Sequence, residues 1–233
     1  MKQDSDSAIP ADNPIGFMRA PTPQLRTLIA QQREVLPAAD FAEMVGYIRT
    51  LFAKYATALI AARSGAERGR ALHRMMDSAI ATAASVPVSC RSGCCGCCHS
   101  EVEVTRDEAS VLKERVLGGV EIDRSRLQQQ AARERLSPAW KNFWSPENRC
   151  IFLSTEGTCR IYEDRPAACR RLLVTTPAEG CTTAGAAIAP VRILLAEVLL
   201  SAAVSVDTEA FGSLSRMLQL ELQEPGEPRP PSG

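Results

Sequence analysis

The 233-residue sequence carries no excess of either charge: 27 Lys and Arg balance 27 Asp and Glu. Broad nucleic-acid binding needs a cationic surface that displaces phosphate counterions, so the balance argues against it. Also missing is an uninterrupted apolar run long enough to span a bilayer. The most apolar stretch, residues 184–206, is broken by Arg192 and Glu197. Such charges are costly at mid-membrane, and the stretch reads as a buried helix rather than a span. The opening MKQDSDSAIPADNP is acidic where a secretory signal carries positive charge and an apolar segment, which points to a cytoplasmic protein without a membrane association. No internal repeat, phosphate loop, Ser/His/Asp set or paired-carboxylate signature occurs. Finally, cysteine is missing before residue 90 and after residue 181.

All nine cysteines therefore belong to one module. In a reducing cytoplasm such density points to metal ligation or redox chemistry rather than disulfides. Four of them occupy five consecutive positions, Cys94-Cys95-Gly96-Cys97-Cys98, shortly after Cys90. A polar, glycine-bearing stretch of this kind is not core packing. The pairs Cys94/Cys97 and Cys95/Cys98 share the two-residue gap of zinc and iron–sulfur sites, where a tight turn aims both sulfurs at one centre. Adjacent cysteines project in different directions, so the cluster suggests two centres, or one multinuclear centre with ligands on several sides. Cys150, Cys159, Cys169 and Cys181 follow after a gap of more than fifty residues. A metal held by both groups would cross-link remote segments.

The expected fold is mainly α, a helical bundle flanking an irregular cysteine-rich module with at most a small β-hairpin. Residues 1–21 and 223–233 are polar and proline-punctuated and read as disordered tails. Between them lie a helical region over 22–85, the cysteine module over 86–183, and C-terminal helices over 184–222. Phe41, Met44, Val45, Ile48, Leu51, Phe52 and Tyr55 recur at helical spacing, with Asp40 as the expected N-cap. A second, antiparallel helix follows Gly65. Within the module, Thr105 and Glu108 form a capping box for a helix to Leu117, and Asp123 caps another to Leu136. Residues 150–162 read as a hairpin turning at Glu156-Gly157, with Cys150 facing Cys159 and a short helix after it bearing Cys169. Pro190 suits the first turn of a helix to Ala203, and Asp207 the cap of a last one to Leu222.

Cys90, Cys159 and Cys169 are each followed by arginine, Cys98 by His99, and Cys150 is preceded by Arg149. Such cations either favour the ligating thiolates or are ordinary solvated side chains. His99 is a candidate ligand but more often a neighbour of ligands, and His73 reads as structural. Trp140, Phe143 and Trp144 fit hydrophobic packing better than a stacking platform. Tyr162 and Arg165 either orient the thiolates or, for Arg165, pair with Glu163 or Asp164.

CRSGCCGCC with the following EVEVTRDEA, then CIFLSTEGTCRIYEDRPAACR, and finally Cys181 resemble the YkgJ-type cysteine cluster family, the CxxCxxCC zinc- or iron-chelating domain. The resemblance spans roughly 86–183 and implies eight metal ligands: Cys90, Cys94, Cys97, Cys98, Cys150, Cys159, Cys169 and Cys181. Cys95 departs from the pattern and opens the question of whether it replaces a neighbour. The cofactor implied is an iron–sulfur cluster, a 4Fe–4S centre, or zinc. The leading function is an iron–sulfur protein with a redox or electron-transfer role. The alternatives are a zinc protein acting as a structural adaptor, a metal buffer, and, by analogy with a distant methylase branch, a protein-modifying enzyme. The partners are metal ions and, on the helical faces, another protein.

Overall fold

A computed structural model describes residues 13–83, 86–141, 145–183, 185–207 and 211–224. The expected tails at 1–12 and 225–233, and the aromatics Phe143 and Trp144, lie outside the described residues. Three helices come first: α1 (Pro23–Val35), α2 (Ala38–Ala61) and α3 (Ala66–Ala83). Thr22 caps α1, its hydroxyl accepting from the Leu25 N–H at 3.2 Å, and Pro23 occupies the first turn, where no N–H is needed. Ile15 and Met18, inside the stretch expected to be loose, are buried in the same apolar cluster as Leu25 and Ile29. Helix α2 starts at Ala38, earlier than expected, because Pro37 already holds a helix-entry geometry. Asp40 is consequently not the cap; it sits in the first turn, where its charge still opposes the helix dipole.

The chain then passes through a 3-10 turn (Gly96–His99) into β1 (Glu103–Thr105) and α4 (Arg106–Leu117). Both halves of the expected capping box are present on α4, with Thr105 and Glu108 bonding each other's backbone N–H. Helix α5 (Arg124–Ala131) is capped by Asp123 as expected but stops five residues before Leu136. Its end is captured by tertiary bonds: Gln130 donates to the carbonyls of Glu147 and Arg149, and Arg133 to Asn148. Leu136 itself adopts φ 59°, which no helix continues through.

The remaining elements are α6 (Ala167–Arg170), β2 (Leu173–Val174), β3 (Pro190–Val191), α7 (Leu194–Val206), β4 (Phe211–Ser213) and α8 (Leu214–Gln223). Pro190 does not open a helix. It lies extended opposite Val174, and α7 begins four residues later. Asp207 ends α7 instead of capping α8, which follows β4 directly. The β structure is small, as expected, but joins remote segments: β1 runs antiparallel to β4 and β2 to β3. At 150–162 the turn is present, with Gly157 at φ 80°, yet only Leu153 and Cys159 bridge. Cys150 and Cys159 are therefore not a facing pair.

Helix α7 is the apolar stretch of the sequence and is buried along nearly its whole length. It packs on α1, α2 and α3, with Leu59, Leu72, Met76, Leu199 and Ala202 in one cluster. No described helix is long and apolar enough to cross a membrane. A second cluster, around Val104, Leu112, Phe152 and Leu218, joins α4, α5 and α8, and Cys150 and Cys159 pack against it. The two regions meet where α3 crosses α4. There a Cβ on Gly69 would stand 2.4 Å from the carbonyl oxygen of Asp107. Backbone cannot yield as a flexible side chain would, so Gly69→Ala should cost about 1–3 kcal/mol despite alanine's better helix propensity. Urea unfolding of the variant checks this; an unchanged midpoint would show that the crossing is looser than described.

Candidate metal centre

Five segments carry the cysteines, and short backbone contacts bring them together. The Gly96–His99 turn is the hub. The Cys98 carbonyl accepts from the Cys150 N–H at 2.7 Å, which sets the start of the second cysteine block against the first. On the other side, a Cβ on Gly96 would lie 2.5 Å from the Cys181 carbonyl oxygen, so only glycine allows these strands of chain to touch. Cys90 is drawn in by β-like bonds: Ser89 N–H donates to the Val174 carbonyl at 2.9 Å, and the Cys90 thiol approaches the Leu172 carbonyl at 3.7 Å.

Cys169 is placed by buried polar struts. Glu108, with no exposed surface, accepts from the Ala167 N–H at 2.7 Å, at the start of the helix bearing Cys169. Its other partners are Thr105 and His73, the latter at 3.3 Å. His73 is thus structural, as expected. Arg170 grips both Asp77 oxygens at 2.8 and 2.7 Å, and Arg171 pairs with buried Glu197 at 2.7 Å. These bonds fasten α6 to α3 and α7, so the helical flanks hold the cysteine segments in place.

The thiols influence one another in a definite pattern. Cys90 lies within electrostatic reach of Cys94, Cys97 and Cys181, and Cys181 within reach of Cys94 and Cys97. Cys98 is within reach of Cys150 and Cys169, and Cys169 of Cys150 and Cys159. Cys97 acts on thiols of both groups. The hydrogen bond from Cys98 lowers the Cys97 thiol to about 7, with the Arg165 charge assisting, while Cys98 is raised as its partner. Burial pushes Cys150 up to about 11 and Cys169 well above the usual thiol value. A metal bound by these thiols must displace their protons, which makes its affinity pH-dependent.

As placed, Cys97 and Cys98 hydrogen-bond each other, and the Cys90 thiol faces the Leu172 carbonyl. Among the described residues, no three His, Cys, Asp or Glu groups are positioned to hold a metal together. The donor set nevertheless suits a soft metal, because thiolate is the ligand common to zinc and iron–sulfur sites. The Cys95 sulfur lies 3.6 Å from where a Gly157 Cβ would be.

The arginines that follow the cysteines in sequence largely serve other partners. Arg160 reaches toward Glu121, Arg170 holds Asp77, and Arg91 stands 4.0 Å from Glu179. Adjacency along the chain did not predict function here. The Arg165 charge acts on Cys97, Cys159 and Cys169, and that of Arg126 on Cys150. Arg165 does not pair with its acidic neighbours; its guanidinium lies 3.8 Å from the Tyr162 ring centroid, while Asp164 pairs with Arg115. Trp140 packs under Arg133, beside a small cavity that Cys150 also lines.

No curated protein and no solved structure matches the chain. A family model does, over residues 89–182, and its description is "Putative zinc- or iron-chelating domain". The match begins at Ser89, whose backbone ties Cys90 to β2, and ends just past Cys181, so it covers all nine cysteines and the struts Glu108, Arg165 and Arg170. The match links residues 89–182, and not the helices on either side, to the CxxCxxCC domain that carries this description.

Proposed function

We propose that the module is an iron–sulfur protein that passes electrons, with eight thiolates forming two neighbouring four-cysteine centres. What supports this reading is the backbone geometry that gathers the cysteine segments around one turn, with Gly96 against Cys181 on one side and the Cys98 carbonyl bonded to the Cys150 N–H on the other. On this reading Cys90, Cys94 and Cys181 belong to one centre, and Cys98, Cys150, Cys159 and Cys169 to the other. Assigning Cys97 to the first set gives each centre four donors, the number that a 4Fe–4S cluster takes. A bound cluster supplies one-electron redox chemistry. The protein's own contribution is positional and electrostatic: Gly96 and the Cys98 carbonyl keep the sets adjacent, and Arg165 offsets the negative charge of assembled thiolates.

Anaerobic purification followed by absorption spectroscopy and metal analysis tests the proposal. The expected product is brown, absorbs near ~400 nm, and carries iron with acid-labile sulfide. Colourless protein with two equivalents of zinc rejects the iron reading while preserving the two-centre one. Cys95→Ser is expected to retain the full metal complement; a loss would move Cys95 into the ligand set.

A further inference from the structure

Outside the thiols, an open, arginine-lined cleft of about 610 Å³ lies between the start of α5 and the 150–160 turn. Arg124, Arg126, Arg149 and Arg160 line it, against two carboxylates, Glu121 and Asp123. The geometry points to a binding site for a small organic polyanion, a molecule bearing two or more carboxylate or phosphate groups.

The carboxylates do not neutralise this cleft. Asp123 is engaged as the α5 cap, accepting from the Arg126 N–H at 2.8 Å and from its guanidinium at 2.9 Å. The Glu121 side chain is 84% exposed and reaches Arg160 only at 3.8 Å. Two guanidinium charges are therefore in excess inside a concave surface, where low-dielectric walls strengthen their field. Nor are these freely waving surface arginines. The Arg126 side chain is 22% exposed and that of Arg160 32%. Arg149 is tethered through the Ser154 carbonyl, which leaves its planar fork aimed by the turn. Guanidinium forks held in this way recognise carboxylate or phosphate oxygens in pairs.

The cleft's floor and size narrow the ligand class. Val116, Val120, Ile122 and Leu153 supply apolar wall, and the volume falls in the range of small-molecule sites. An apolar wall beneath several cations suits a compact organic body with more than one anionic group better than a bare monoanion. The site is also contiguous with the cysteine module. Arg149 and Arg160 flank Cys150 and Cys159, and Leu153 bridges to Cys159. The inference does not depend on which metal the thiols hold.

Isothermal titration calorimetry on the full-length, metal-loaded chain tests it, with citrate and inorganic pyrophosphate as probes and acetate as the monoanion control. Saturable one-to-one binding of citrate or pyrophosphate, with acetate silent, is expected, and whichever probe binds more tightly identifies carboxylate or phosphate as the preferred group. Arg124→Gln, at an exposed position, should weaken binding about tenfold with bound metal unchanged, and Arg126→Gln should weaken it as much in samples whose metal content is measured. Should Arg126→Gln fold poorly, Arg160→Gln provides the second variant. Absence of binding by both polyanions, equal binding of acetate, or affinity unaltered in the folded variants would overturn the assignment. Because metal content is measured on the same samples, failure here is distinguishable from failure of the iron–sulfur reading.

Discussion

Gly96→Ala should strip the chain of about half its bound metal while leaving the helical content intact. The new Cβ would meet the Cys181 carbonyl oxygen at 2.5 Å and the Cys181 Cβ at 2.8 Å. Both are far inside ordinary contact, and neither belongs to a flexible side-chain tip, so the Cys181 segment must withdraw. Cys181 would then leave the centre proposed for it with Cys90, Cys94 and Cys97. The second set, anchored by the Cys98–Cys150 backbone bond, is untouched by that movement. Metal equivalents measured alongside circular dichroism check the prediction. A full complement in the variant would show that Cys181 is no ligand, or that the two strands do not touch.

Glu108→Ala should destabilise the protein by about 3–5 kcal/mol, the range for removing one partner from a buried, fully bonded charge. The loss leaves the N–H of Ala167, the Thr105 hydroxyl and the His73 ring with no carboxylate in a site that excludes water. Burial pushes the Glu108 carboxyl up, but the bonds from His73, Ala167 and Thr105 together hold it below the usual carboxylate value. The sign follows from that depression. The folded state favours the ionised form, so this stabilisation is present above the unfolded glutamate pKa of about 4.3. It is lost as pH falls through the lower, folded value. Glu108→Gln should accordingly flatten the acid limb of the stability curve, which urea titrations between neutral and acid pH would reveal. Because Glu108 also seats the helix bearing Cys169, the alanine variant should lose metal as well as stability. A variant as stable as the parent would mean that His73 and Ala167 find other partners.

Which of these features could be read from the chain follows from how local each one is. The capping box at Thr105 and Glu108 is a four-residue signal and is found as expected. The apolar stretch around α7 and the crowded 90–98 cysteines are likewise compositional signals that survive any rearrangement elsewhere. What tertiary contact decides was not legible. The pairing of 103–105 with 211–213 joins three-residue strands more than a hundred residues apart, too short to show periodicity. Pro190 carries a sound helix-start signal, but pairing with β2 claims it for a strand. Arg133 and Gln130 end α5 early by bonding the 147–149 segment, and no local rule announces that. Glu108 was visible as a cap but not as the seat of the Cys169 helix, since its second oxygen finds partners 35 and 59 residues away. Among the cations the outcome is mixed: Arg165, a candidate from the sequence for orienting the thiolates, does act on Cys97, while Arg160 and Arg170 are engaged with Glu121 and Asp77.

Metal-edge X-ray absorption on folded, anaerobically prepared full-length protein bears most directly on the account. It predicts a coordination shell made only of sulfur, at about 2.3 Å, that loses ligands when either Cys94 or Cys150 becomes serine. Stoichiometric metal in a nitrogen- or oxygen-dominated shell would contradict it, as would a shell that responds to cysteines of one block and ignores the other.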